Sequence, residues 1–228
     1  MTRWVIAVVA ALLMAAAPPA VAAPLDCAVA KCVALTFDDG PGPHTDRLLQ
    51  ILEAHDARAT FFLVGDKVAA DPAAGRRIAD AGMEIGNHTW SHPNMTTLAP
   101  QDRSMQFSRA TTAIEAATGQ RPTLARTGGG HLDDAVLAEA GRQGLAVINW
   151  DVVPYDWIHD TDTAATRDEL MRAVRPQSVV LLHDTFASTV DLMGEVVPRL
   201  RDDGYHLVAV GEMLGPRAPG TLYGAPPP

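Results

Sequence analysis

The sequence predicts an α/β fold built on a mostly parallel sheet, and three observations carry that reading. Short β-type runs alternate with helical patterns almost to the C-terminus, as in repeated βα units. The run Val179-Val180-Leu181-Leu182 is continuously apolar, the pattern of a strand buried on both faces. The chain has 228 residues, of which 47% are hydrophobic and 20% charged, which is ordinary for a globular domain and unlike a disordered, collagenous or coiled-coil protein.

In chain order, strands are expected at 33–37, 59–64, 83–87, 123–126, 145–151, 178–183 and 206–210. Between them, helices are expected at 46–54, 72–81, 100–118, 133–142, 163–174 and 192–202. Leu48, Leu49 and Leu52 give the first helix an apolar stripe that faces the core. The segment after Gly215, ending in three prolines, has the composition of a loose extension and is read as a Pro-rich tail over 216–228. Seven parallel strands fit either a doubly wound sheet or an incomplete barrel, and alternation alone does not decide between them.

The first residues point to export. Arg3 precedes an apolar run over 4–17, broken by Pro18 and Pro19 before Ala20-Val21-Ala22-Ala23, which reads as a cleaved signal peptide over 1–23 ahead of a domain at 24–215. The run is shorter than the roughly 20 residues of a spanning helix, so an uncleaved anchor is the weaker reading. Cys27 and Cys32 are read as a local disulfide fastening the mature N-terminus, consistent with an oxidising compartment. With 18 Lys plus Arg against 27 Asp plus Glu, the net charge of -9 has the wrong sign for binding a nucleic-acid backbone.

The polar residues gather at the ends of the expected strands. Asp38-Asp39-Gly40-Pro41 follows the first, His88 and His92 follow the third, and Arg126 ends the fourth. Asp156-Trp157 follows the fifth, and His183-Asp184 ends the sixth. In either parallel architecture these ends converge on one face, where active sites form. The four-residue spacing of His88 and His92 places both imidazoles on one face of a helical turn, and with a carboxylate they make a two-His, one-acid set that leaves positions open on a catalytic zinc. His183 is a titratable candidate acid, with Asp156 as its orienting partner. Trp90, Trp150 and Trp157 adjoin the clusters, and Trp157 is a candidate for stacking on a sugar ring. His44, His55, His159 and His206 are read as structural, whereas His131, beside the glycine-rich turn, is left unassigned.

Taken in order, Thr36-Phe37-Asp38-Asp39-Gly40-Pro41, His88-Thr89-Trp90-Ser91-His92-Pro93, Arg126, Asp156-Trp157 and Leu182-His183-Asp184 resemble the five motifs of the NodB-homology polysaccharide deacetylases, carbohydrate esterase family 4. The resemblance runs from about Lys31 to Gly211. It implies a distorted (β/α) barrel of about seven parallel strands with its active site at their C-terminal ends. It also implies that Asp39, His88 and His92 bind a divalent metal, usually zinc, with cobalt or nickel as alternatives. Asp38 would be the general base, held by Arg126, and His183 the acid that protonates the departing amine, oriented by Asp156. A backbone N–H after Arg126, that of Gly129, would stabilise the oxyanion. Two departures stand out: the third motif reads Arg126-Thr127-Gly128-Gly129-Gly130, without the usual proline-containing pair and aromatic, and Val153 stands where the fourth usually has an acid, so that either Asp151 substitutes for it or that contact is missing.

The expected protein is a secreted, monomeric, metal-dependent N-deacetylase acting on N-acetylglucosamine units of a cell-wall polysaccharide, peptidoglycan first and chitin oligomers next. Its partner is that glycan; no nucleic acid and no stable membrane insertion are expected. An O-acetylesterase acting on xylan and a non-catalytic wall-binding domain are the readings from other classes.

Overall fold

The computed structural model describes residues 25–224. The expected signal segment lies outside the described residues. Among the described residues no helix is long and apolar enough to cross a membrane.

Among the described residues eight strands form one sheet in which every pairing is parallel. Seven lie along the path β6 (Ser178–His183), β1 (Cys32–Gly40), β2 (Thr60–Leu63), β3 (Glu84–Asn87), β4 (Leu124–Ala125), β5 (Ala146–Ile148) and β8 (Leu222–Tyr223). The short β7 (His206–Leu207) pairs with the start of β1. The sheet curls until the chain just past β5 meets the opposite edge, where Val152 bridges Val180 of β6. This is the distorted barrel that the motif resemblance implies.

The two-residue period of the strands sorts their side chains. Val33, Leu35 and Phe37 of β1, Phe61 and Leu63 of β2, and Val180 and Leu182 of β6 point outward into one large cluster. That cluster is covered by α1 (Thr45–Ala54), through Leu48, Leu49 and Leu52, and by α7 (Ala187–Asp202), through Val190, Val196 and Leu200. The alternate residues, Ala34, Phe62, Leu124, Ala146, Ile148 and Val179, fill the interior. Thr36 and Asp38 share this inward register with Ala34, so the end of β1 delivers a carboxylate into the barrel rather than toward solvent.

Helix starts follow local chemistry. Asp71, Asp133 and Asp162 accept backbone N–H bonds at the N-termini of α3 (Pro72–Asp80), α5 (Asp134–Arg142) and α6 (Thr163–Ala173). Pro100 opens α4 (Pro100–Thr118), and Gly119, with φ 74°, closes it. Two helices go beyond the expected set. In α2 (Gly65–Ala70), a Cβ at Gly65 would lie 2.7 Å from the Ala110 backbone, a close approach that only glycine allows. The other is α8 (Val210–Leu214), which ends the expected strand at 206–210 after two residues: Glu212 accepts from Ala209 N–H, while Thr60 Oγ1 and the Glu84 carboxylate accept from Val210 and Gly211.

The segment after Gly215, read from composition as a loose extension, is docked over part of its length. Gly220 N–H donates to Leu145 O, and β8 then adds to the edge of β5. At the other end, a Cys27–Cys32 disulfide ties the described N-terminus to the start of β1.

Asp151 closes the barrel. Its carboxylate accepts from Val179 N–H at 2.6 Å and from Ser178 Oγ at 2.9 Å, fastening the chain after β5 to β6. Asp151→Ala is expected to cost about 1–2 kcal/mol, from two hydrogen bonds on a half-exposed group. Calorimetry should show Tm falling by several degrees; an unchanged Tm would mean that the backbone bridge alone holds the seam.

Candidate metal-binding active site

The site is built at the C-terminal ends of the strands, and Arg126 lies at its centre. This side chain, fully buried inside the barrel, spends its donors on four groups. Nε donates to Ile148 O at 2.8 Å and one terminal nitrogen to Asn149 O at 3.1 Å. The other terminal nitrogen donates to Thr36 Oγ1 at 2.7 Å and Asp38 Oδ1 at 2.8 Å. The guanidinium lies 4.2 Å from the centre of the Phe62 ring and 5.3 Å from that of Trp150. Phe62 can lie flat there because residue 86 has no side chain: a Cβ at Gly86 would come within 2.4 Å of the ring. Burial pushes the Arg126 pKa down while the Asp38 charge opposes the shift, and an arginine in this range stays charged.

Asp38 is thereby held by one oxygen, and its other oxygen, Oδ2, faces His88 Nε2 at 3.6 Å. The next residue turns the opposite way. Asp39 has φ 70°, and Lys67 Nζ donates to its carbonyl at 2.7 Å, so two adjacent carboxylates serve different surfaces. Gly40 follows because the buried Asp184 carboxyl lies 2.7 Å from where a Cβ would stand. Thr45 Oγ1 donates to Asp184 Oδ2, and burial pushes this carboxyl up to about 6.

His88 leaves β3 with its Nδ1 2.8 Å from Arg126 O. That carbonyl can only accept, so Nδ1 carries the proton and Nε2 keeps a lone pair for the cleft. The expected helical turn between His88 and His92 is not what joins them. Thr89 (φ 66°) and His92 (φ 56°) are left-handed, and the segment is a loop held by Gln106 Oε1, which accepts from Trp90 and Ser91 N–H. The asparagine before the loop stabilises it too, since Asn87 Oδ1 accepts from Thr89 N–H. The two imidazoles still meet, edge to face, with ring centres 4.8 Å apart.

Their Nε2 atoms lie 3.4 Å (His88) and 3.3 Å (His92) from Asp39 Oδ1. A tetrahedral ion with bonds of about 2.0–2.1 Å separates its ligand atoms by about 3.3 Å, so the donor set fits zinc in type and spacing. Burial alone would raise the Asp39 carboxyl, but the neighbouring imidazoles of His88, His92 and His183 outweigh it and hold it well below the usual carboxylate range. Burial and the neighbouring His88 push His92 down, which favours the neutral, ligating form.

Across the cleft, Asp156 grips His183 at two points. Its Oδ1 lies 3.0 Å from Nδ1, and Oδ2 accepts from the His183 backbone N–H at 2.8 Å and from Thr189 Oγ1 at 2.9 Å. Burial would lower the imidazole pKa, but the hydrogen bond and charge of Asp156 overcome this and raise it. Trp157 and Phe186 flank the ring at 5.3 and 5.9 Å between centres, both edge to face. The resulting cleft, about 390 Å³, is lined by Asp38, Asp39, His88, His92, His183, Gly129 and Trp157, together with Trp150, Leu181 and Phe186.

The sequence-derived site residues thus come together in or directly behind one cleft. Asp151, the nearest acid to the vacated position of the fourth motif, does not join them; it fastens β6, and two backbone carbonyls serve Arg126 instead. Thr36 was read only as part of a motif, and Lys67, Phe186 and Thr189 carried no local signal, because their contacts join segments far apart in the chain.

Residues 26–148 match the family model for polysaccharide deacetylases. The peptidoglycan-N-acetylmuramic acid deacetylase PdaC of Bacillus subtilis is 35% identical over 184 residues, covering 80% of this chain and 38% of that protein. The chitooligosaccharide deacetylase of Sinorhizobium fredii is 35% identical over 191 residues, covering 77% of this chain and 88% of the relative. A solved structure described as T48 deacetylase with substrate superposes with a TM-score of 0.83 at 35% identity, covering 88% of this chain and all of that one. The chain spans about two fifths of the length of the first curated relatives it matches. By sequence match, fold and motif order, it belongs to the polysaccharide deacetylase family, the NodB-homology enzymes of carbohydrate esterase family 4.

Proposed function

We propose that this chain is a secreted, zinc-dependent hydrolase that removes N-acetyl groups from N-acetylglucosamine residues of peptidoglycan. The observation that carries the reading is the convergence of Asp39, His88 and His92 beside an Arg-held Asp38, with an Asp-held His183 across the cleft. Peptidoglycan is favoured by the names of several relatives and by the export signal read in the sequence. The chitooligosaccharide deacetylases, of which this chain covers most of the length, support short N-acetylglucosamine oligomers as the second substrate.

Asp39, His88 and His92 would hold zinc, which would supply Lewis acidity toward the acetyl carbonyl and make a water easier to deprotonate. Asp38 accepts the proton of that water through Oδ2, the oxygen that Arg126 leaves unused. Water oxygen bonds to the acetamide carbon, and the negative charge that develops on the carbonyl oxygen is met by the Gly129 N–H on the cleft wall. As the C–N bond breaks, His183 donates a proton to the departing sugar amine, and acetate leaves. Asp156 raises the pKa of that imidazole and, by holding Nδ1, leaves Nε2 toward the cleft. Trp157 and Phe186 exclude water around it and offer an apolar face to the sugar ring.

Acetate release from peptidoglycan, N-acetylglucosamine oligomers and acetylated xylan, with chelator and after zinc is restored, tests the reading. Chelator-sensitive, zinc-restored release from the N-acetylated glycans is expected; release from xylan alone would move the activity to esters, and none from any glycan would contradict an enzyme. Asp38→Asn should lower kcat by about three orders of magnitude with zinc content unchanged, the scale of a lost general base. His88→Ala should lose stoichiometric zinc by metal analysis, and retention would remove it from the ligand set.

The pH profile carries a sign. His183 must be protonated to act as the acid, and Asp156 raises its pKa, so activity is lost as pH rises through that raised value. Asp156→Asn removes the charge and should move the alkaline limb of kcat/KM to lower pH. An alkaline limb that stays in place would separate His183 from the acid role.

A further inference from the structure

The three glycines after Thr127 admit two imidazoles. A Cβ at Gly128 would lie 3.0–3.1 Å from the His92 ring, and one at Gly129 would lie 3.0 Å from His131 Nε2 and 3.1 Å from its Cδ2. The first ring belongs to the metal-binding set. The second is exposed, and among the described residues no group hydrogen-bonds its side chain. Its backbone, in contrast, is fixed: His131 N–H donates to Gly128 O at 3.3 Å, and Thr127 Oγ1 donates to His131 O at 3.0 Å. The loop is therefore a tight 3-10 turn that folds an imidazole back over Gly129, with Gly129 in the left-handed region at φ 59°. Gly129 itself lines the cleft, so the Nε2 edge of His131 packs beside that stretch of the cleft wall.

A glycan with one acetamide in this cleft extends beyond it, and the imidazole beside Gly129 offers a hydrogen-bonding edge to a flanking sugar. Resting on the deacetylase reading above, we propose that His131 is a specificity-determining residue whose Nε2 hydrogen-bonds the sugar flanking the one being deacetylated. A ring held by its backbone and unengaged at its polar edge loses little freedom on making such a bond. Gly129 is then required twice, for the turn and for the space the ring occupies.

Steady-state kinetics on an N-acetylglucosamine tetramer and on 4-nitrophenyl acetate, which has no flanking sugar, test this. His131→Ala and His131→Phe should each raise KM for the tetramer about three- to tenfold, the worth of one neutral hydrogen bond. His131→Gln should stay within about twofold of wild type. For all three, kcat, zinc content and the nitrophenyl acetate reaction should match wild type. A wild-type KM in His131→Phe would overturn the hydrogen bond, and a wild-type KM in His131→Ala would overturn any contact with that sugar. Equal losses on both substrates, or lost zinc, would mean that His131 supports the centre instead. A wild-type chain that releases no acetate under any metal defeats the deacetylase reading itself, a result distinct from all of these.

Discussion

The Arg126 guanidinium is the constraint on which the site depends. Removing an ion of this kind from water costs several kcal/mol even after relaxation, and it is tolerated only when its donors are matched. Here they are matched by two carbonyls at the end of β5, a threonine and an aspartate of β1, and two aromatic faces. One residue then fixes two functions: its side chain takes one oxygen of Asp38 and leaves the other toward the cleft, and its carbonyl sets the tautomer of His88. Gly86 belongs to the same construction at one remove, since without it Phe62 could not lie under the guanidinium.

Around that fixed centre the backbone is bent into conformations that ordinary residues avoid. Asp39, Thr89, His92 and Tyr155 all have positive φ, each costing on the order of 1 kcal/mol or more. The surroundings hold them: Lys67 takes the Asp39 carbonyl, while the side chains of Asn87 and Gln106 take the amides of the loop from Thr89 to Ser91. The rest of the barrel is close-packed and apolar, so departures from backbone preference concentrate where side chains must converge from five strand ends.

Much of this was legible in the sequence, for physical reasons that can be named. Continuous apolar runs such as Val179-Val180-Leu181-Leu182 fit doubly buried strands, and polar clusters at the ends of parallel strands share a rim. What was hidden depends on contacts between distant segments. The two-residue β8 is too short to show a period, and it is recruited by the edge of β5 rather than by its own residues. The strand expected at 206–210 pairs for only two residues, because Thr60 and Glu84, far away in sequence, accept the amides that open α8. Asp151 looked like a replacement for a missing motif acid, yet its reach is set by β6, which lies against it only in the folded barrel.

The central claim is that Asp39, His88 and His92 hold one ion while Arg126 keeps Asp38 apart from it as a base. Anomalous diffraction at the zinc edge, on crystals of the zinc-loaded chain, tests this most directly. The account predicts a single strong peak bonded to Asp39, His88 and His92, with Asp38 still paired to Arg126 and not ligating. A peak bonded through Asp38, or none between the two histidines, would contradict it.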